Sequence, residues 1–117
     1  MKKILLVMMM GMGLSMCKSN KVIYDFPENM PTNIREQNLA SCEKGRVLFE
    51  MNCAACHVKK EGKRSIIPDF TPEQLGNYEF RFLNKSHEDS LQENQLSQDD
   101  LIHIITFLTY KKKNEAK

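Results

Sequence analysis

Residues 53–57 read Cys53-Ala54-Ala55-Cys56-His57. Two thiols three residues apart, with an imidazole directly after the second, concentrate three ligating groups in one short stretch. The motif carries extra weight because little else is available to hold the fold together. The chain has 117 residues, and its segments with apolar helical periodicity lie within about 70 of them. A domain of that size has a thin core and usually needs a staple, a metal or a bulky cofactor to be stable.

The first residues do not belong to that domain. Lys2 and Lys3 precede an apolar run from Ile4 to Met16. A charged start and an apolar stretch of this length read as a signal peptide over residues 1–16, too short to stay as a transmembrane helix. Cys17 follows Leu14-Ser15-Met16, which resembles the lipobox of bacterial lipoproteins, with Met16 where Gly or Ala is usual. The resemblance implies that Cys17 is acylated and that the protein is a periplasmic, membrane-anchored lipoprotein. The alternative is a plain signal peptide cleaved nearby. Residues 17–40 contain two prolines and no helical stripe. They read as a lipid-anchored linker, with a short segment near residues 23–26 resting on the domain. The formal charge of +2 disappears with the signal peptide: removing Lys2 and Lys3 from 17 bases leaves 15, against 15 acids. Such a balance does not suggest nucleic acid as a partner. Cys42 is the odd thiol, expected to be buried and idle.

From Ser41 onwards the pattern is helical. Gly45, Leu48, Phe49 and Asn52 recur on one face of a helix expected over residues 42–52. Lys59, Lys60, Lys63 and Arg64 surround Gly62 in what reads as a basic loop. Thr71-Pro72-Glu73-Gln74 is a capping box with proline at the first helical position, opening a helix to about residue 84. Residues 84–96 read as a polar loop. Ser97-Gln98-Asp99-Asp100 is a second capping box, and Leu101, Ile104, Ile105 and Leu108 supply the stripe of a last helix. Lys111, Lys112 and Lys113 suit its negative end. The expected fold is therefore all-α, three main helices and loops over residues 41–113 with no strand, followed by a tail at 114–117.

Cys-x-x-Cys-His is the attachment pattern of haem c. Thiols three apart at a helix end reach the two vinyl groups on one porphyrin edge, and His57 then lies under the iron. A redox dithiol would sit beside a βαβ pattern, which is missing, and a zinc site would need two further ligands in paired spacing. With these residues on the page, the chain resembles the small class I-type bacterial cytochromes c over about residues 40–111. Gly45 and Phe49 precede the motif, Ile67-Pro68-Asp69-Phe70 follows it, and Leu96 to Leu108 match the last helix. The resemblance implies a cytochrome c-like fold around one covalent haem c. It implies Gly45 at a close crossing of the first and last helices, with Phe49 and Phe107 beside it. It also implies that the Pro68 carbonyl accepts a hydrogen bond from His57.

The family's distal methionine has no counterpart. No methionine follows Met51, which lies on the proximal helix, and Met30 lies in the linker. His103 points about 200° away from Leu101 on the last helix and should face solvent. His87 falls where the family's methionine would be, and it is the expected sixth ligand beside His57. An open site and Lys85 are the competing readings.

The function expected is electron transfer by a mono-haem cytochrome with bis-histidine ligation, not enzymatic catalysis, with redox proteins as partners. The basic residues after the motif would suit an acidic partner or simply a solvated loop. A haem-based gas sensor with an open distal site, and an accessory subunit of a membrane redox complex, are the alternatives.

Overall fold

The computed structural model describes residues 21–90 and 96–115. The expected signal peptide at residues 1–16 and the expected lipidation of Cys17 lie outside them. Among the described residues no helix is long and apolar enough to cross a membrane.

Helix α1 spans Thr32–Asn52 and starts ten residues earlier than its apolar stripe suggests. Pro31, extended at φ −56° and ψ 144°, immediately precedes it. The added turns contain good helix formers such as Arg35, Glu36, Gln37, Leu39 and Ala40. All but Asn38 of residues 32–40 are exposed, so no stripe betrays them. Residues 21–30 are likewise part of the packed unit. The Asp25 N–H donates to the Tyr110 carbonyl at 2.8 Å and the Lys112 N–H to that of Ile23 at 2.9 Å. Tyr24 sets its ring against Phe107 at 6.3 Å and Phe26 meets Tyr110 at 4.9 Å. The compact unit thus begins by residue 21, not at 41, and residues 32–40 are helix where a linker was expected.

The one-turn helix α2 (Ala54–His57) follows. Strands β1 (Lys59–Glu61) and β2 (Arg64–Ile66) then form an antiparallel hairpin where the basic loop was expected, pairing Lys59 with Ile66 and Glu61 with Arg64. Gly62, at φ +62°, supplies the positive backbone angle that a two-residue hairpin turn requires. Helix α3 (Pro72–Gly76) opens on the expected capping box: Thr71 Oγ1 accepts from the Gln74 N–H at 3.1 Å, and Gln74 Oε1 accepts from the Thr71 N–H at 2.9 Å. It stops at Gly76-Asn77, two poor helix formers, and α4 (Tyr78–Phe82) resumes after them. Helix α5 (Lys85–Ser90) replaces part of the expected polar loop. Helix α6 (Gln98–Tyr110) carries the second capping box between Ser97 and Asp100. The fold is mostly helical, with six helices among the described residues.

The centre of the fold is the crossing of α1 and α6. A Cβ on Gly45 would lie 1.9 Å from the His103 carbonyl oxygen, so the two backbones touch there. Phe49 and Phe107 pack together beside the crossing at 5.9 Å, both almost fully buried. Leu75, Ile104 and Leu108 complete the cluster. The close approach also overturns the expectation for His103. It does point away from the apolar stripe, but α1 passes on that side, and Ser41 Oγ lies 2.7 Å from its Nδ1.

Candidate functional site

Beside the crossing lies a cavity of about 520 Å³, within the range of cofactor sites. One wall is apolar: Phe49 from α1, Leu75 from α3 and Leu101, Ile104, Ile105 and Leu108 from α6. The first end carries the pentapeptide. Cys53 caps α1, its N–H donating to the Phe49 carbonyl at 2.8 Å, and the His57 N–H donates back to the Cys53 carbonyl at 2.9 Å. A single helical turn thus directs Cys53, Cys56 and His57 to the same cavity. Both cysteines are free thiols, Cys53 half-buried and Cys56 exposed. Burial, and secondarily the neighbouring Cys56, pushes the Cys53 thiol up to about 11. Burial also lowers the pKa of His57, as does the charge of His87 facing it.

His87 occupies the opposite end. Its ring centre is 5.9 Å from that of His57, with the two planes 26° apart. Asn84 starts the turn that carries it, Oδ1 accepting from the His87 N–H at 3.1 Å. The Arg81 carbonyl receives two hydrogen bonds, from Asn84 Nδ2 at 2.6 Å and from His87 Nδ1 at 2.9 Å. A carbonyl only accepts, so Nδ1 carries the proton; in the neutral ring Nε2 then keeps its lone pair. Phe82 lies beside His87, with ring centres 5.5 Å apart and planes 21° apart. The imidazole is thereby fixed by one hydrogen bond and one ring contact. Such support orients a metal-binding histidine and sets its tautomer.

The rival candidates fall elsewhere. Lys85 is exposed and does not line the cavity. Met51 is 76% exposed, and the sulfur of Met30 faces Asn38 Nδ2 at 3.5 Å; neither borders the site. Pro68 is half-buried in the segment between β2 and α3, and no hydrogen bond joins its carbonyl to His57 among the described residues. The group meeting His57 from this segment is Phe70, edge-on at 5.9 Å and 64°. Cys42 is fully buried, its Sγ directed at the Thr106 carbonyl at 3.6 Å. Burial, then the Glu43 carboxylate, pushes that thiol up to about 12 and leaves it inert. Among the described residues no three or more His, Cys, Asp or Glu side chains cluster as they would around a bare metal ion.

Sequence reasoning overlooked Phe70 and the Arg81 carbonyl. The first sits in a proline-broken stretch without periodicity. The second is a backbone group, although Asn84, three residues before His87, is a recognisable helix cap that could have pointed to α5. Comparison with family models, with curated proteins and with solved structures finds no match for this chain.

Proposed function

We propose that this chain is a mono-haem c-type cytochrome of cytochrome c-like fold that carries electrons on the periplasmic side of a bacterial membrane. In this reading Cys53 and Cys56 hold the haem covalently, His57 and His87 are the axial ligands, and an acylated Cys17 anchors the chain. The observation that carries it is the pair of facing imidazoles at one cavity whose rim bears two free thiols. Both rings border the same cavity, with centres 5.9 Å apart. The donor set is also of the right kind, two thiols for thioethers and two neutral ring nitrogens for iron.

Haem bound here would supply one-electron redox chemistry. The protein's residues do the rest. Phe49, Leu75, Ile104 and Leu108 keep water from one face of the site, and the Arg81 carbonyl holds the His87 ring in its ligating tautomer. With two imidazoles as ligands and no methionine among the residues lining the cavity, the reduction potential would fall on the low side for this class. The exposed hairpin bearing Lys59, Lys60, Lys63 and Arg64 starts two residues after His57 and gives an acidic redox protein a surface near the site.

Absorption spectra of the purified protein in both redox states test this reading. Low-spin bands of a six-coordinate haem c are expected, and His87→Ala should turn them high-spin or water-ligated. An unchanged low-spin spectrum in His87→Ala would remove His87 from the site, and a colourless protein would remove the haem. Mass spectrometry of the mature chain checks acylation of Cys17.

A further inference from the structure

Among the described residues Lys111 is the one charged side chain that is buried, 4% exposed. A lysine so enclosed requires a partner. It sits at the C-terminal cap of α6, and its Nζ donates to Asp69 Oδ1 at 2.5 Å. Asp69 Oδ2 accepts the Asn114 backbone N–H at 2.9 Å. Asn114 Nδ2 donates to the Ile67 carbonyl at 2.9 Å, and Lys113 Nζ reaches the Phe70 carbonyl at 3.5 Å. The chain leaving α6 therefore grips residues 67–70 through each of its first residues except Lys112.

Ile67 and Phe70 rest against the core cluster, and the grip fixes the backbone that joins them. Residues 67–70 belong to no helix or strand, and no backbone–backbone hydrogen bond holds them among the described residues. Besides the packing of Ile67 and Phe70, the polar contacts from Lys111, Lys113 and Asn114 hold them. The segment ends at Phe70, whose ring meets the His57 imidazole edge-on.

We infer that Asp69 and Lys111 are positioning residues for His57. Their ion pair clamps residues 67–70 to the end of α6, and Phe70 transmits that placement to the imidazole. This is the support on the His57 side that corresponds to the Arg81 carbonyl on the His87 side. The inference rests on the proposed function only in giving His57 the task of a ligand.

The test is NMR of isotope-labelled histidine in the purified full chain, with its absorption spectrum recorded first. Asp69→Asn should displace the His57 ring signals and leave those of His103, on the far side of α6, unmoved. Asp69→Glu keeps the carboxylate and should restore them. The double variant Asp69→Ala with Lys111→Met removes both charges, leaving no unpaired buried ammonium. It should regain most of the stability lost in Asp69→Asn and still show displaced His57 signals. If haem is present, the reduction midpoint should shift in step with the NMR displacement. Wild-type His57 signals in both Asp69→Asn and the double variant would overturn the inference and leave the pair a structural role alone. Should Asp69→Asn not fold, the double variant decides. A spectrum without haem bands would count against the proposed function, while the His57 signals still report on the clamp.

Discussion

Gly45→Ala should destabilise this protein far more than the addition of one methyl group suggests. The new Cβ would stand 1.9 Å from the His103 carbonyl oxygen, 2.4 Å from its carbon and 2.9 Å from the Ile104 nitrogen. These are backbone atoms inside α6 and cannot swing aside. Carbon contacts become comfortable only near 3.5 Å, so α1 must retreat by about 1.5 Å. Phe49 and Phe107 would part with the helices, and a gap of about 1 Å already forfeits up to roughly half of the dispersion attraction across it. The Ser41–His103 hydrogen bond, now 2.7 Å, would stretch out of range. Overpacking of this kind costs about 1–3 kcal/mol and a lost hydrogen bond about 1 kcal/mol more. Replacing a helical glycine by alanine returns about 1 kcal/mol in propensity. A net loss of about 1–3 kcal/mol follows, a large share of the total for a small domain. Urea unfolding followed by circular dichroism measures it, with Gly76→Ala as control because nothing lies within 4 Å of a Cβ there. If Gly45→Ala proved as stable as Gly76→Ala, the backbone contact between α1 and α6 would be refuted.

Two further outcomes concern the ends of elements and the ion pair. Ser97→Ala removes the acceptor of the Asp100 N–H at the start of α6 and should cost about 0.5–2 kcal/mol in urea unfolding; no loss would mean that Asp100 alone caps the helix. Burial by itself would push the Asp69 carboxyl up, but hydrogen bonds from Lys111 and Asn114 and the charges of Lys111 and Lys113 outweigh it and hold the pKa below the ordinary value. A depressed carboxyl stabilises fully above its unfolded pKa of about 3.9 and stops doing so as pH falls through the lower native value. The stability lead of wild type over Asp69→Asn should thus be constant above about pH 5 and shrink below about pH 4. A lead unchanged down to pH 2 would contradict the pairing.

The parts of this fold that were legible beforehand are those in which local chemistry and burial agree. Thr71 and Ser97 announce helix starts through their side-chain bonds, and the stripe from Leu101 to Leu108 announces which face of α6 is buried. The first turns of α1 were not legible, because an exposed helix held by propensity has no stripe to read. The hairpin was hidden for a related reason: three-residue strands of exposed Lys, Glu, Arg and Ser carry no alternation, and only Gly62 marks the turn. In the site, Cys53, Cys56 and His57 share one cavity because a single helical turn allows little else. His87 could be singled out by its position, but its facing of His57 depends on Asn84 and the Arg81 carbonyl, and so on how the chain closes. Phe70 packs on the core next to Asp69, which Lys111 and Asn114 hold from up to 45 residues away; no local pattern encodes such a contact.

The buried cluster and the cavity wall are largely the same side chains. Phe49, Leu75, Ile104 and Leu108 belong to both. Each packs one side into the α1–α6 crossing and turns another towards the site. Whatever fills this cavity would therefore touch the core itself and act as a structural component as much as a functional one. Truncating Leu108 or Ile104 would disturb folding and site together, and no substitution on that wall separates the two. The informative mutations lie off that apolar wall, at Asn84, which borders the cavity as a polar group, and at Asp69 and Lys111 outside it, where a side chain orients an imidazole or its neighbour without forming the apolar surface.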